Sequence, residues 1–181
     1  MYTYKRTIKS GDMIEVEYYQ SIRKIGKNYG GRKSNNSLSP AKMRKANKLR
    51  AVKRMQRLIN ANFGSGDFFC RFSAPYGTYE SEKEFRAEVG KWLYRINYRR
   101  KKQGKGRLKY IAFIECGKSG KNWHIHIIVS KEDRELLSEQ WPYENGQNFT
   151  PLYKNENFKK LAEYITKDLT GKEDVDAAQK R

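Results

Sequence analysis

Acidic residues are outnumbered about two to one by basic ones in this sequence. It has 20 Asp and Glu against 39 Lys and Arg in 181 residues, a formal charge of +19. That excess goes far beyond what solubility needs and points to a polyanionic partner. Between Tyr18 and Gly66 there is no acid at all, against thirteen Lys and Arg. Cysteine is nearly absent. Cys70 and Cys116 are too few for a disulfide framework, and without a secretory signal they read as reduced thiols. No apolar run is long enough to span a bilayer, and no signal peptide heads the chain, so a cytoplasmic protein with no membrane partner is predicted. Histidine is as rare as cysteine: there are two, His124 and His126.

Those two lie in the run Trp123-His124-Ile125-His126-Ile127-Ile128-Val129-Ser130, which is apolar and β-branched and reads as a buried strand. Residues i and i+2 of a strand share a face, so both imidazoles can converge on one transition-metal ion. Upstream, Leu108-Lys109-Tyr110-Ile111-Ala112-Phe113-Ile114-Glu115 reads as a second strand ending in a carboxylate. The glycine-rich segment 117–122 turns it back into the histidine strand. Such a hairpin brings Glu115 to His124 and His126. Two neutral imidazoles and one carboxylate leave positions open on a metal, as a catalytic site needs and a closed structural site lacks.

The rest of the chain frames this hairpin. Residues 2–9 and 13–19 read as an N-terminal β-hairpin, and 26–38 as a flexible basic loop. Ser39-Pro40 opens a helix predicted to run to about Asn62. Met43, Ala46, Leu49, Val52, Met55 and Ile59 form its apolar stripe. Its other faces carry Lys42, Arg44, Lys45, Lys48, Arg50, Lys53, Arg54 and Arg57. A face of one sign repels itself, and nucleic-acid phosphate is the obvious partner to offset that, so these eight are candidate DNA-binding residues. This helix either covers a sheet edge or binds flanking DNA. Phe68 to Ser73 reads as a short strand. Ser81-Glu82-Lys83-Glu84 is a capping-box pattern opening a core helix with Phe85, Val89, Trp92, Leu93 and Ile96 on one face. A helix over 131–140, a strand over 149–153 and a helix from Asn157 to about Leu169 follow. On the last helix Lys160, Tyr164 and Lys167 share a stripe. The predicted organisation is a basic extension over 1–62, a domain over 63–172 and a disordered tail over 173–181. The predicted fold is α+β: a central antiparallel sheet with the Glu115 and histidine strands in its middle, flanked by helices and arranged like an RNA-recognition domain.

Taken in order, the strand ending Phe72-Ser73, Glu115, His124-x-His126 and Tyr164-x-x-Lys167 resemble the motifs of the HUH endonucleases. Within these, the likeness is to rolling-circle replication initiators of small Gram-positive plasmids and phages. The stretches over 60–67, 109–111 and 161–167 carry it, and it covers roughly residues 58–170. The resemblance implies a divalent metal, Mn²⁺ or Mg²⁺, held by Glu115, His124 and His126. It also implies a nucleophilic Tyr164 with Lys167 beside it, Lys160 on the DNA, and site-specific nicking and joining of single-stranded or hairpin origin DNA through a 5′-phosphotyrosine. Lys160 and Asp168 stand where a second tyrosine would, so the one-tyrosine type is implied. Arg71 departs from the apolar run usual in the first strand. No P-loop is present, so any helicase is another domain or a host protein. A relaxase, a tyrosine transposase or a non-catalytic nucleic-acid-binding module are the competing readings.

Overall fold

A computed structural model describes residues 1–22, 40–153 and 157–167. The basic loop predicted over 26–38, the Ser39 cap and the acidic tail lie outside the described residues. The chain divides into two compact units, one formed by Met1–Asn62 with Asn157–Arg181 and one by Phe63–Glu156.

In the first unit, β1 (Tyr2–Ser10) and β2 (Met13–Ser21) form an antiparallel hairpin closed at Gly11-Asp12. Gly11 has φ +60, and a Cβ there would lie 2.0 Å from the carbonyl oxygen of Asn60. Only glycine lets the turn approach the helix backbone so closely. That helix is α1 (Pro40–Asn62), with the bounds its periodicity predicts. Its apolar stripe is buried only in the second half, at Val52 and Ile59, while Met43 and Leu49 are exposed. The buried half meets the short α4 (Lys159–Ile165), which contributes Ala162 and Ile165. Gln56 and Asn60 fix the entry to α4 by donating side-chain hydrogen bonds to the Asn157 carbonyl, at 2.8 and 3.2 Å. The last helix is thus shorter than the predicted Asn157–Leu169. Lys167 lies in the turn that closes it, with its backbone N–H donated to the Tyr164 carbonyl at 3.2 Å.

The second unit is a four-stranded antiparallel sheet of order β4-β5-β3-β6. Its strands are β3 (Phe68–Ser73), β4 (Tyr110–Cys116), β5 (Trp123–Val129) and β6 (Gln147–Pro151). The histidine strand β5 is central, as predicted. The Glu115 strand β4 is an edge strand and not a middle one, because β3 takes the other side of β5 and β6 pairs with β3. Two helices, α2 (Glu82–Lys102) and α3 (Arg134–Gln140), complete the unit. The predicted helix over 131–140 starts with a 3₁₀ turn at Lys131–Asp133, and the predicted strand at 149–153 sits two residues earlier. Ser81 caps α2 by accepting the Glu84 N–H at 3.3 Å, while Glu84 accepts from Glu80 N–H at 3.0 Å.

Alternation sends Cys70, Phe72, Ile125, Ile127 and Val129 to one face of the sheet, where they bury with Phe85, Val89, Trp92 and Ile96 of α2 and Leu137 of α3. Phe72 packs on Trp92 at 4.8 Å between ring centres, and Trp92 donates its indole N–H to the Leu137 carbonyl at 3.2 Å. This aromatic core fixes the sheet face on which everything else must lie. Arg100, near the end of α2, forms a buried ion pair with Asp133. Among the described residues, no helix is long and apolar enough to cross a membrane.

Candidate metal centre

The residues that alternate with the core point to the opposite sheet face. Glu115 lies directly across from His124, and Phe113 across from His126. The hairpin register therefore stacks two adjacent rows of side chains: Glu115 with His124, and Phe113 with His126 and Arg71. Glu115 Oε2 is 3.2 Å from His124 Nε2 and 3.0 Å from His126 Nε2. The sequence predicts these three residues together, and the fold brings them together on neighbouring strands.

The two separations from Glu115 are those of neighbouring ligands on one ion. Two donor atoms bound at about 2.1 Å to one ion, at angles of about 90–110°, lie about 3.0–3.4 Å apart. The tautomer of His124 fits as well. Its Nδ1 lies 3.2 Å from the Asn122 carbonyl, so the tautomer with the proton on Nδ1 can donate there. In that tautomer Nε2 presents a lone pair beside the Glu115 carboxylate, and a cation can sit between the two acceptors. A backbone carbonyl that orients a ligating imidazole in this way is the usual outer support of a metal centre. Among the described residues, Glu115, His124 and His126 are the one His/Cys/Asp/Glu group whose donor atoms, all within 4.8 Å of one another, can hold a metal ion.

His126 is the most enclosed of the three. Its side chain is 6% exposed, against 13% for His124 and 30% for Glu115. Its ring lies between two phenyl rings from the flanking strands, Phe113 at 4.8 Å and Phe69 at 5.3 Å, both within 12° of parallel. Burial above all, and then the neighbouring His124, push its pKa down to about 4, while Glu115 acts in the opposite direction. The ring is therefore neutral near pH 7, as a ligand must be. Arg71 also lowers it, which places a cation beside the cluster. Arg71 is exposed and belongs to the row of His126, away from the core. An apolar residue is not required there.

The sequence reading missed Phe69, Phe113, Asn122 and Arg71. The signal was present for Phe113, which is two residues before Glu115 and so on its face. Phe69 and Arg71 needed the β3–β5 register, which no local pattern reveals.

The remaining predicted site residues belong to the first unit. Tyr164 is 41% exposed on α4, and Lys160 and Lys167 are exposed. On α1, Arg57 makes two hydrogen bonds to Glu15 of the hairpin, at 3.0 and 2.8 Å, and Lys53 reaches Glu17 at 2.6 Å. Arg57 holds the Glu15 carboxyl below its ordinary range, and Lys53 does the same for Glu17. Part of the one-signed charge of α1 is therefore offset inside this unit by acids that precede it in the chain. Lys45, Lys48 and Arg54 remain on exposed faces.

Fold and site together define an α+β protein with a Glu-His-His group that could hold a metal ion on one face of an antiparallel sheet, in a strongly basic chain. Its sequence matches the model of a family of replication-associated proteins, those of the ORF2 type, over residues 77–173. That is more than half of its length, and the chain belongs to that family. The match includes Glu115, His124, His126, Tyr164 and Lys167. No curated protein and no solved structure matches it significantly.

Proposed function

We propose that this protein initiates rolling-circle replication in the cytoplasm by nicking and rejoining single-stranded origin DNA, as a one-tyrosine HUH endonuclease. The observation that carries the reading is Glu115 Oε2 at 3.0 and 3.2 Å from the two imidazole Nε2 atoms, in a member of a replication-associated family. Glu115, His124 and His126 would hold Mn²⁺ or Mg²⁺. When bound there, such an ion polarises a phosphate as a Lewis acid.

The chain's own groups supply the rest. Tyr164 is the nucleophile in this reading. A tyrosine phenol ordinarily loses its proton near pH 10, so it needs a nearby cation to act at neutral pH, and Lys167 provides one. The Tyr164 oxygen attacks phosphorus in line, and the bond from phosphorus to the 3′ oxygen breaks. The 3′ oxygen takes up a proton and leaves as a hydroxyl, while the 5′ phosphate stays on Tyr164. The new ester conserves the energy of the broken one, so attack by a 3′-hydroxyl reverses the step without ATP. Arg71 offers a positive charge to the phosphate on the metal face. Lys160 and the exposed cations of α1, including Lys42, Arg44, Lys45, Lys48, Arg50 and Arg54, would hold flanking DNA. A host helicase would open the duplex ahead.

The test is a covalent-adduct assay. The protein is mixed with a labelled pool of single-stranded DNA and Mn²⁺ or EDTA, then run on a denaturing gel. A Mn²⁺-dependent shifted band that disappears in Tyr164→Phe supports the assignment, and sequencing the trapped strand gives the nick site. An adduct that persists in Tyr164→Phe sinks the role of Tyr164. No adduct together with no metal binding favours a non-catalytic nucleic-acid-binding module.

A further inference from the structure

A groove of 460 Å³ lies in the second unit, between the last turns of α2 and the loop that follows. Its walls include Tyr94, Asn97, Tyr98, Lys101, Lys105 and Arg107, and no acidic residue lines it. The loop is fastened to the helix. Asn97 Oδ1 accepts the Leu108 N–H at 2.9 Å, Arg100 donates its Nε–H to the Gly106 carbonyl at 2.8 Å, and the Lys105 N–H reaches the Arg100 carbonyl at 2.9 Å. The groove is therefore formed in advance of any ligand, which lowers the ordering cost of binding.

Its chemistry is unusual for a helix end. Basic residues in a last turn are expected from the helix dipole alone. Exposed tyrosines are not. Tyr94 and Tyr98 are four residues apart, so they share a helix face, and they are 72% and 49% exposed. The Lys102 ammonium covers one face of the Tyr98 ring, 4.8 Å from its centre, so a base on Tyr98 takes the other face or displaces it. Two aromatic platforms beside three or four cations on a fixed frame match the requirements of unpaired bases and their phosphates.

We infer that this groove is a second contact for single-stranded DNA, taking one or two unpaired nucleotides with bases on Tyr94 and Tyr98 and phosphates at Lys101, Lys105 and Arg107. It is distinct from the metal centre. Trp92 and Ile96 anchor α2 on the core face of the sheet, whereas Glu115, His124 and His126 occupy the other face. A strand bound in the groove is held away from the metal centre, so the groove contributes retention of displaced or flanking single strand. The proposal rests on the single-stranded DNA reading above, but it requires neither Tyr164 nor a metal.

The experiment is fluorescence anisotropy of a labelled oligothymidine and of a labelled duplex with the full chain in EDTA, across a salt series. Proteins compared are wild type, Tyr94→Ala/Tyr98→Ala and Lys101→Ala/Arg107→Ala, each checked for its fold by circular dichroism. The tyrosine pair is expected to weaken single-strand binding about ten- to hundredfold and to leave duplex binding within about threefold. The basic pair is expected to flatten the salt slope by about 1.4. Folded tyrosine variants with unchanged single-strand affinity overturn the groove while leaving the DNA reading in place. Equal losses for single strand and duplex overturn the stacking role. A wild-type protein that binds no single-stranded DNA overturns both the groove and the function it rests on.

Discussion

Replacing Glu115 by glutamine tests the metal centre with little change of shape. The amide keeps the size of the carboxylate, and its nitrogen can donate to the imidazole Nε2 atoms at the observed 3.0 and 3.2 Å, so the metal-free sheet is expected to hold. What is lost is the one charged oxygen that both imidazoles face. Removing an outer partner of a metal ligand weakens binding about 10–100-fold, so removing a direct anionic ligand is expected to weaken it by at least about 100-fold. At Mn²⁺ one hundred times its dissociation constant, the wild type gains about 2.7 kcal/mol from binding. For a chain of this size that raises the melting temperature by about 5–11 °C. At the same Mn²⁺ concentration the variant gains about 0.4 kcal/mol or less. Its shift is then under about 2 °C. The assay is thermal unfolding of both proteins with EDTA and with Mn²⁺. A variant that keeps the full shift would show that the ion, if any, binds elsewhere. A wild type with no shift would leave the cluster a hydrogen-bonded His-Glu-His group.

Three further outcomes follow from the geometry. The pKa of His126 falls from an ordinary 6.5 to about 4 on folding, so the unfolded chain binds more protons between those values and stability rises with pH across that window. Urea unfolding in EDTA is expected to lose up to roughly 3 kcal/mol between pH 7 and pH 4 from this group, and a profile that His126→Gln does not flatten contradicts it. Gly11→Ala places a methyl 2.0 Å from the Asn60 carbonyl in a left-handed backbone. It is expected to cost about 2–4 kcal/mol in urea unfolding of the first unit, and a loss below about 1 kcal/mol argues against that packing. Neutralising Lys45, Lys48 and Arg54 is expected to weaken DNA binding for all sequences and flatten the salt slope by about 0.7–0.9 per charge, more than Arg57→Ala, because Glu15 already engages Arg57. Equal slopes for all four point to non-specific charge with no bound face.

The candidate site was legible because its logic is local. Two histidines at a spacing of two, a carboxylate at the end of the preceding strand and a short glycine turn fix a hairpin, and a hairpin register fixes which side chains meet. The capping box and the bounds of α1 were legible for the same reason, since caps and periodicity act within a few residues. The α+β class followed from the alternation of such elements. The length of α4 was overestimated, because its apolar spacing continues past the point at which the chain turns at Thr166 and Lys167.

What the sequence by itself determined is therefore the chemistry: which residues can hold a metal, where the charge lies, and which runs become strands and helices. Only the tertiary structure decided the order of the strands, with β4 at an edge and β3 beside β5. It alone set Phe69 and Arg71 next to His126, joined Arg57 to Glu15 across 42 residues, and folded the loop over 103–107 back on α2 to make a groove. Pairings between distant segments depend on how a whole core packs, and no short stretch of sequence carries that information.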